Sequence, residues 1–116
     1  MADITLYHNP NCSKSRVARE ILEAKGVDFD VVEYLQAPLS AVEILDLLER
    51  LADSPEALVR KDGHFKELGL DAADFTTAEA VAGLLADHPR LMQRPVLVKG
   101  DRAVIARPPE LVEALI

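Results

Sequence analysis

Ile4-Thr5-Leu6-Tyr7 alternates apolar and polar positions and is rich in β-formers, which predicts a strand ending near His8. Asn9-Pro10-Asn11 is a turn signal. From Ser13 the period lengthens: Val17, Ile21 and Leu22 recur at helical spacing with Ala18 and Ala24 beside them, and Gly26 stops the helix near Lys25. The stretch 29–35 reads as a second strand centred on Val31 and Val32. One crossover helix separates the two strands, so they should run parallel.

The middle of the chain keeps the helical period. Ser40 and Glu43 have the spacing of a capping box, followed by Ile44, Leu47, Leu48 and Leu51. Ser54-Pro55-Glu56 predicts a short helix with serine as its cap and proline in its first turn, broken at Lys61-Asp62-Gly63. A further piece should run over 65–68 up to Gly69. Thr76 and Glu79 suggest a second capping box, with a helix continuing through Leu84 and Leu85 to Pro89. Beyond it, two short apolar runs, 95–98 and 103–106, flank Lys99-Gly100-Asp101-Arg102 as a hairpin. Pro108-Pro109 opens a last helix through Leu111, Val112 and Leu115. The order βαβ, helical insert, ββα is that of an α/β, thioredoxin-like mixed sheet. The whole of 1–116 is then one domain, with an insertion between strands 2 and 3 at about 38–89.

Composition narrows the function. With 116 residues, 49% of them hydrophobic, the chain can bury one core and is neither disordered nor long enough for two domains. No apolar run is long enough for a membrane span, and Met1-Ala2-Asp3-Ile4 lacks the pattern of a leader. A net charge of −7 argues against nucleic acid and anionic membranes as partners. The three histidines show no metal-ligand spacing, so no metal site is expected, and one cysteine without a leader points to the reducing cytoplasm.

A lone cysteine is most often an inert buried thiol. Cys12, however, stands where a strand ends and a helix begins. The free N–H groups of Ser13, Lys14, Ser15 and Arg16 should point toward its sulfur, and the helix dipole favours negative charge there. Lys14 and Arg16 add positive charge, Ser13 or Ser15 can donate a hydroxyl proton, and His8 lies across the turn. All of these favour the nucleophilic thiolate. The spacing excludes a Cys-x5-Arg phosphatase loop, because position 18 is Ala18. It also excludes a Cys-x-x-Cys dithiol, because Ser15 holds the second position, so a disulfide formed in turnover must take its other sulfur from another molecule. The Cys-x-x-Ser spacing is that of monothiol glutaredoxins.

Charge is unevenly spread. From Pro89 to Pro108 there are five cations, Arg90, Arg94, Lys99, Arg102 and Arg107, against one acid, Asp101, a local net charge of +4. Arg94 and Arg107 each precede a proline, and by fold analogy Pro95 should be cis beside the active cysteine. Forked guanidinium groups near a thiolate suit a tetrahedral oxyanion.

The segment from Tyr7 to Arg16 resembles the active-site segment of the ArsC family of arsenate reductases, the class coupled to glutathione and glutaredoxin. Leu58-Val59-Arg60-Lys61, Glu67-Leu68-Gly69-Leu70, His88-Pro89, Gln93-Arg94-Pro95-Val96 and Ala106-Arg107-Pro108 recur in the same order in that family, over nearly the whole chain. With Ser13-Lys14 after the cysteine and an end at Ile116, the chain is similar to the shorter, housekeeping-type branch. The resemblance implies reduction of arsenate to arsenite, as in arsenic detoxification. It implies Cys12 as nucleophile, Arg60, Arg94 and Arg107 on the oxyanion, and His8 and Ser15 helping to hold the thiolate. No bound cofactor is implied; glutathione is the co-substrate and glutaredoxin the partner. Arg60, near the end of a short helix and before a glycine break, is expected to be the mobile arginine. Two other readings compete: a glutathione-dependent thiol-disulfide reductase, and a transcriptional regulator similar to Spx with no enzymatic activity.

Overall fold

The computed structural model describes residues 3–116; Met1 and Ala2, the start of the segment read as lacking a leader, lie outside the described residues. Strand β1 (Ile4–His8) feeds helix α1 (Ser13–Ala24), which returns the chain to β2 (Asp30–Glu33), parallel to β1 with Leu6 opposite Val31 and His8 opposite Glu33. Strand β3 (Val96–Lys99) runs antiparallel on the other side of β1, with Tyr7 opposite Val96, and β4 (Arg102–Ile105) closes the hairpin. The sheet order is β2-β1-β3-β4, a mixed sheet of the thioredoxin-like fold. Gly100 starts the two-residue hairpin loop at φ +59°, a conformation that glycine adopts without strain.

Between β2 and β3 lie α2 (Ala41–Arg50), α3 (Gly63–Glu67), α4 (Ala78–Asp87) and three single turns of 3₁₀ helix. The capping box of α2 forms in full: Ser40 Oγ accepts from Glu43 N–H at 3.2 Å and Glu43 Oε1 accepts from Ser40 N–H at 3.0 Å. Elsewhere the caps differ from the sequence reading. Thr77, not Thr76, caps α4 and accepts from Ala80 N–H, so Glu79 falls one position short of closing a box. Ser54 precedes a 3₁₀ turn (Pro55–Leu58) with no bond from its side chain. Asp62 caps α3 through Phe65 N–H, so that helix starts at Gly63 rather than Phe65. The last helix, Pro109–Ala114, is 3₁₀. Strand β2 stops at Glu33 because the Glu33 carbonyl turns back to accept from Gln36 and Ala37. Leu51 leaves α2 and bridges to Ala103.

Alternation along the strands splits the core in two. Tyr34, Val96, Val98 and Ala103 face α2 and α4 in the larger cluster, which also takes in Leu58, Leu85, Leu91 and Met92. Ile4, Leu6 and Leu97 face the other way and meet Ala18, Leu22, Val112 and Leu115. The buried stripe of α1 is Ser15-Ala18-Leu22, whereas Val17, an expected core position, is 38% exposed. Each fully buried leucine contributes about 1.5–3 kcal/mol. No helix among the described residues is long and apolar enough to cross a membrane.

Candidate active site

The carboxyl ends of β1 and β2 and the start of β3 meet at one edge of the sheet, and Cys12 lies there as the N-cap of α1. The loop that leads to it is braced from within. Cys12 N–H donates to the Asn9 carbonyl at 3.0 Å, and Asn11 N–H to Asn9 Oδ1 at 3.0 Å. Ser15, fully buried, receives Asn9 N–H on Oγ at 3.0 Å, with His8 Nδ1 2.7 Å from the same oxygen. Burial, with Arg19 and Arg16 nearby, lowers the His8 pKa against the pull of Glu33, which favours the neutral ring. With that ring protonated on Nε2, Nδ1 accepts the Ser15 hydroxyl proton.

This bracing changes the roles expected of the loop residues. The Ser15 hydroxyl is committed to His8 and Asn9, so its contribution to the sulfur is its backbone N–H. Arg16 spends Nη1 on the Pro10 carbonyl at 2.9 Å. Lys14 faces the sulfur with its N–H, while its side chain is exposed, as is that of Ser13. The cation at the sulfur is Arg94. Burial pushes the Cys12 thiol up, but the Ser15 N–H, the Arg94 guanidinium and the Lys14 N–H together bring it below its ordinary range.

Arg94 is placed by the hairpin. Its peptide to Pro95 is cis, and so is Arg107–Pro108, for which the sequence suggests no such form. Pro95 O accepts from Ala106 N–H at 2.9 Å, and Arg107 Nη1 donates to the Arg94 carbonyl at 2.9 Å. Arg107 is thus spent in part on fixing the backbone of Arg94. Arg60 follows Val59, which bridges to Met92; Arg60 N–H donates to Leu91 O at 2.6 Å and Gln93 N–H to Leu58 O at 2.8 Å. The backbone of Arg60 is therefore tied into the insert rather than free, and its Nε is paired with Asp62 Oδ2 at 3.2 Å.

A cavity of about 300 Å³ is lined by Asn9, Leu35, Arg60, Asp62, Arg90 and Arg94. Three guanidinium groups face one carboxylate, so the cavity suits an anion. Arg60 and Arg94 line it; Cys12 and Arg107 do not, and Asn9 and Arg94 connect it to the sulfur. Among the described residues no group of three or more His, Cys, Asp or Glu is placed to hold a metal ion. In the sequence Asn9 stands out only as a turn residue and Arg90 only as part of a basic stretch. Tyr34 shows there only as part of the strand expected over 29–35, because a tyrosine at a strand end carries no motif.

The fold and the site define a thioredoxin-like protein with a single cysteine, activated by backbone N–H groups and an arginine at the edge of an anion-attracting cavity. The chain belongs to the ArsC family, whose profile matches residues 7–115. It is 39% identical over 118 residues to the arsenate reductase of Neisseria meningitidis serogroup A, over the full length of both chains. It is 40% identical over 111 residues to a protein of Escherichia coli K12 named uncharacterized protein YfgD, covering 94% of this chain and 92% of that one. The solved structure of the arsenate reductase from Vibrio cholerae superposes with a TM-score of 0.87 at 34% identity, covering 97% of each chain.

The thiol offers a direct check. Followed by thiolate absorbance, Cys12 should titrate below an unfolded-chain thiol. Because folding lowers this pKa, the thiolate stabilises the fold above the ordinary thiol range, and that contribution fades as the pH falls through the folded value. A titration at or above the value for the denatured protein would show an unactivated thiol.

Proposed function

We propose that this protein reduces arsenate to arsenite with electrons from glutathione. The Cys12 thiolate attacks arsenic and an oxygen leaves as water, giving a sulfur–arsenic(V) adduct. A glutathione thiolate then attacks the Cys12 sulfur. The sulfur–arsenic bond breaks with its electron pair going to arsenic, so arsenite departs and a Cys12–glutathione disulfide remains. A second thiol, from glutathione with glutaredoxin, displaces glutathione disulfide and restores Cys12. Arg94 stabilises both the thiolate and the oxyanion, Arg60 adds charge from the cavity, and Arg107 holds Arg94 in place. The observation that supports this reading best is the activated Cys12 facing Arg94 at the edge of the three-arginine cavity. Cys12 is the one cysteine of the chain, which fits an external thiol as reductant and a reducing, cytoplasmic setting.

The test is NADPH oxidation coupled through glutathione, glutaredoxin and glutathione reductase. Oxidation should rise and saturate with arsenate; a rate equal to the arsenate-free baseline would refute the activity. The Cys-x-x-Ser spacing supports a second reading, reduction of glutathione mixed disulfides. The same assay with a mixed disulfide in place of arsenate separates the two. A regulator switched by a dithiol has less support, since Ser15 Oγ is a structural hydroxyl and no second sulfur of cysteine exists.

A further inference from the structure

We propose that Tyr34 is a positioning residue for Arg94, and through it for the Cys12 thiolate. Tyr34 follows β2 directly, one position beyond the pair His8–Glu33, so it projects from the same edge of the sheet as the cysteine loop. It is fully buried among Leu, Val and Met side chains of the larger cluster. Its hydroxyl faces the Arg94 guanidinium and the Asn9 side chain, yet makes no hydrogen bond of acceptable geometry to either. Arg94 Nε is also buried and also without a partner. Native proteins leave few such groups unpaired, and two on neighbouring side chains at a reactive site ask for a common cause.

The two groups are complementary. Nε–H is a donor only, and a tyrosine hydroxyl accepts as readily as it donates. A small turn of the guanidinium closes Nε–H onto the Tyr34 oxygen, leaving the terminal nitrogens of Arg94 toward the sulfur. The Asn9 side-chain amide N–H faces the same oxygen as a second donor, on the residue whose carbonyl already accepts Cys12 N–H. Tyr34 thereby gives Arg94 a fixed rest at the wall of the cavity, and Asn9 links that rest to the cysteine loop. Burial pushes the phenol up to about 12, against the opposing pull of Arg94, so the hydroxyl stays neutral at every working pH and does not cancel the arginine's charge.

Tyr34→Phe removes the hydroxyl and keeps the ring. The inference deepens the reading of Arg94 as the cation at Cys12, but its test uses no arsenate, so a lack of arsenate turnover leaves it intact. The Cys12 thiolate is titrated in the wild-type protein, in Tyr34→Phe, in Arg94→Ala and in the double variant. Tyr34→Phe should weaken the thiolate equilibrium about threefold in the wild-type background and change nothing once Arg94 is gone. Its melting temperature should fall by a few degrees at most, the loss of one hydrogen bond within an otherwise unchanged core. A wild-type titration for Tyr34→Phe, or an equal shift in both backgrounds, would overturn the proposal. A variant melting well below the wild type would overturn it as well, since the hydroxyl would then serve the fold rather than Arg94.

Discussion

Cys12→Ser should abolish arsenate reduction, by about 10³-fold or more, since a hydroxyl at this position is neither ionised nor able to form the disulfide on which turnover depends. The substitution should leave the protein at least as stable as before. Cys12 is the N-cap of α1, and its side chain makes no capping bond. Serine is a preferred cap, and its oxygen can accept from the N–H groups that now face the sulfur, a gain of up to about 1 kcal/mol. Loss of turnover together with an equal or higher melting temperature is therefore the expected pair of results. Turnover near the wild-type rate would remove Cys12 from the chemistry, whatever the substrate.

Arg94→Lys is expected to lower kcat/KM by about 10²–10³-fold, or about 2.7–4 kcal/mol of transition-state stabilisation. It should also raise the Cys12 pKa. Lysine preserves the charge but loses the planar fork, and here the one guanidinium faces the Cys12 sulfur, the cavity and the Tyr34 hydroxyl together. The backbone at this position is held whatever the side chain, through Arg107 Nη1 on the Arg94 carbonyl and through Ala106 N–H on Pro95 O. The loss should thus be chemical and not a collapse of the hairpin. Arg60→Lys should cost less, because Arg60 already shares its Nε with Asp62 and acts from the cavity wall as a charge. Steady-state kinetics of the two variants decide the matter. A near-normal Arg94→Lys beside an inactive Arg60→Lys would exchange their roles.

Much of the fold is legible in the chain because local signals and burial agree there. Ile4 to His8 alternates, Ser40 and Glu43 sit three apart, and Gly100-Asp101 separates two β-rich runs; each appears in the structure as strand, capped helix and hairpin. The reading slips where side chains compete for the same N–H. Thr76 and Thr77 offer two frames for one helix start, and only the tertiary position of α4 chooses the second. Val17 fits the helical period but lies outside the stripe that meets the sheet. At the site, Cys12 and the arginines before proline are visible as motifs. The division of labour among them is not, because Arg107 on the Arg94 carbonyl, and Ser15 on His8 rather than on sulfur, are contacts between segments distant in sequence or folded back on themselves. Tyr34 escapes notice for the same reason: its meaning lies in a missing bond.

The split core bears on the reactive pair. Cys12 rides on α1, which is seated on the smaller cluster through Ala18 and Leu22, whereas Arg94 is rooted beside Leu91 and Met92 in the larger one. Nucleophile and cation therefore belong to opposite layers and meet only at the strand ends between them. The thiolate keeps its countercharge only while both clusters are packed against the sheet, so the reactivity of the sulfur rests on two separate cores.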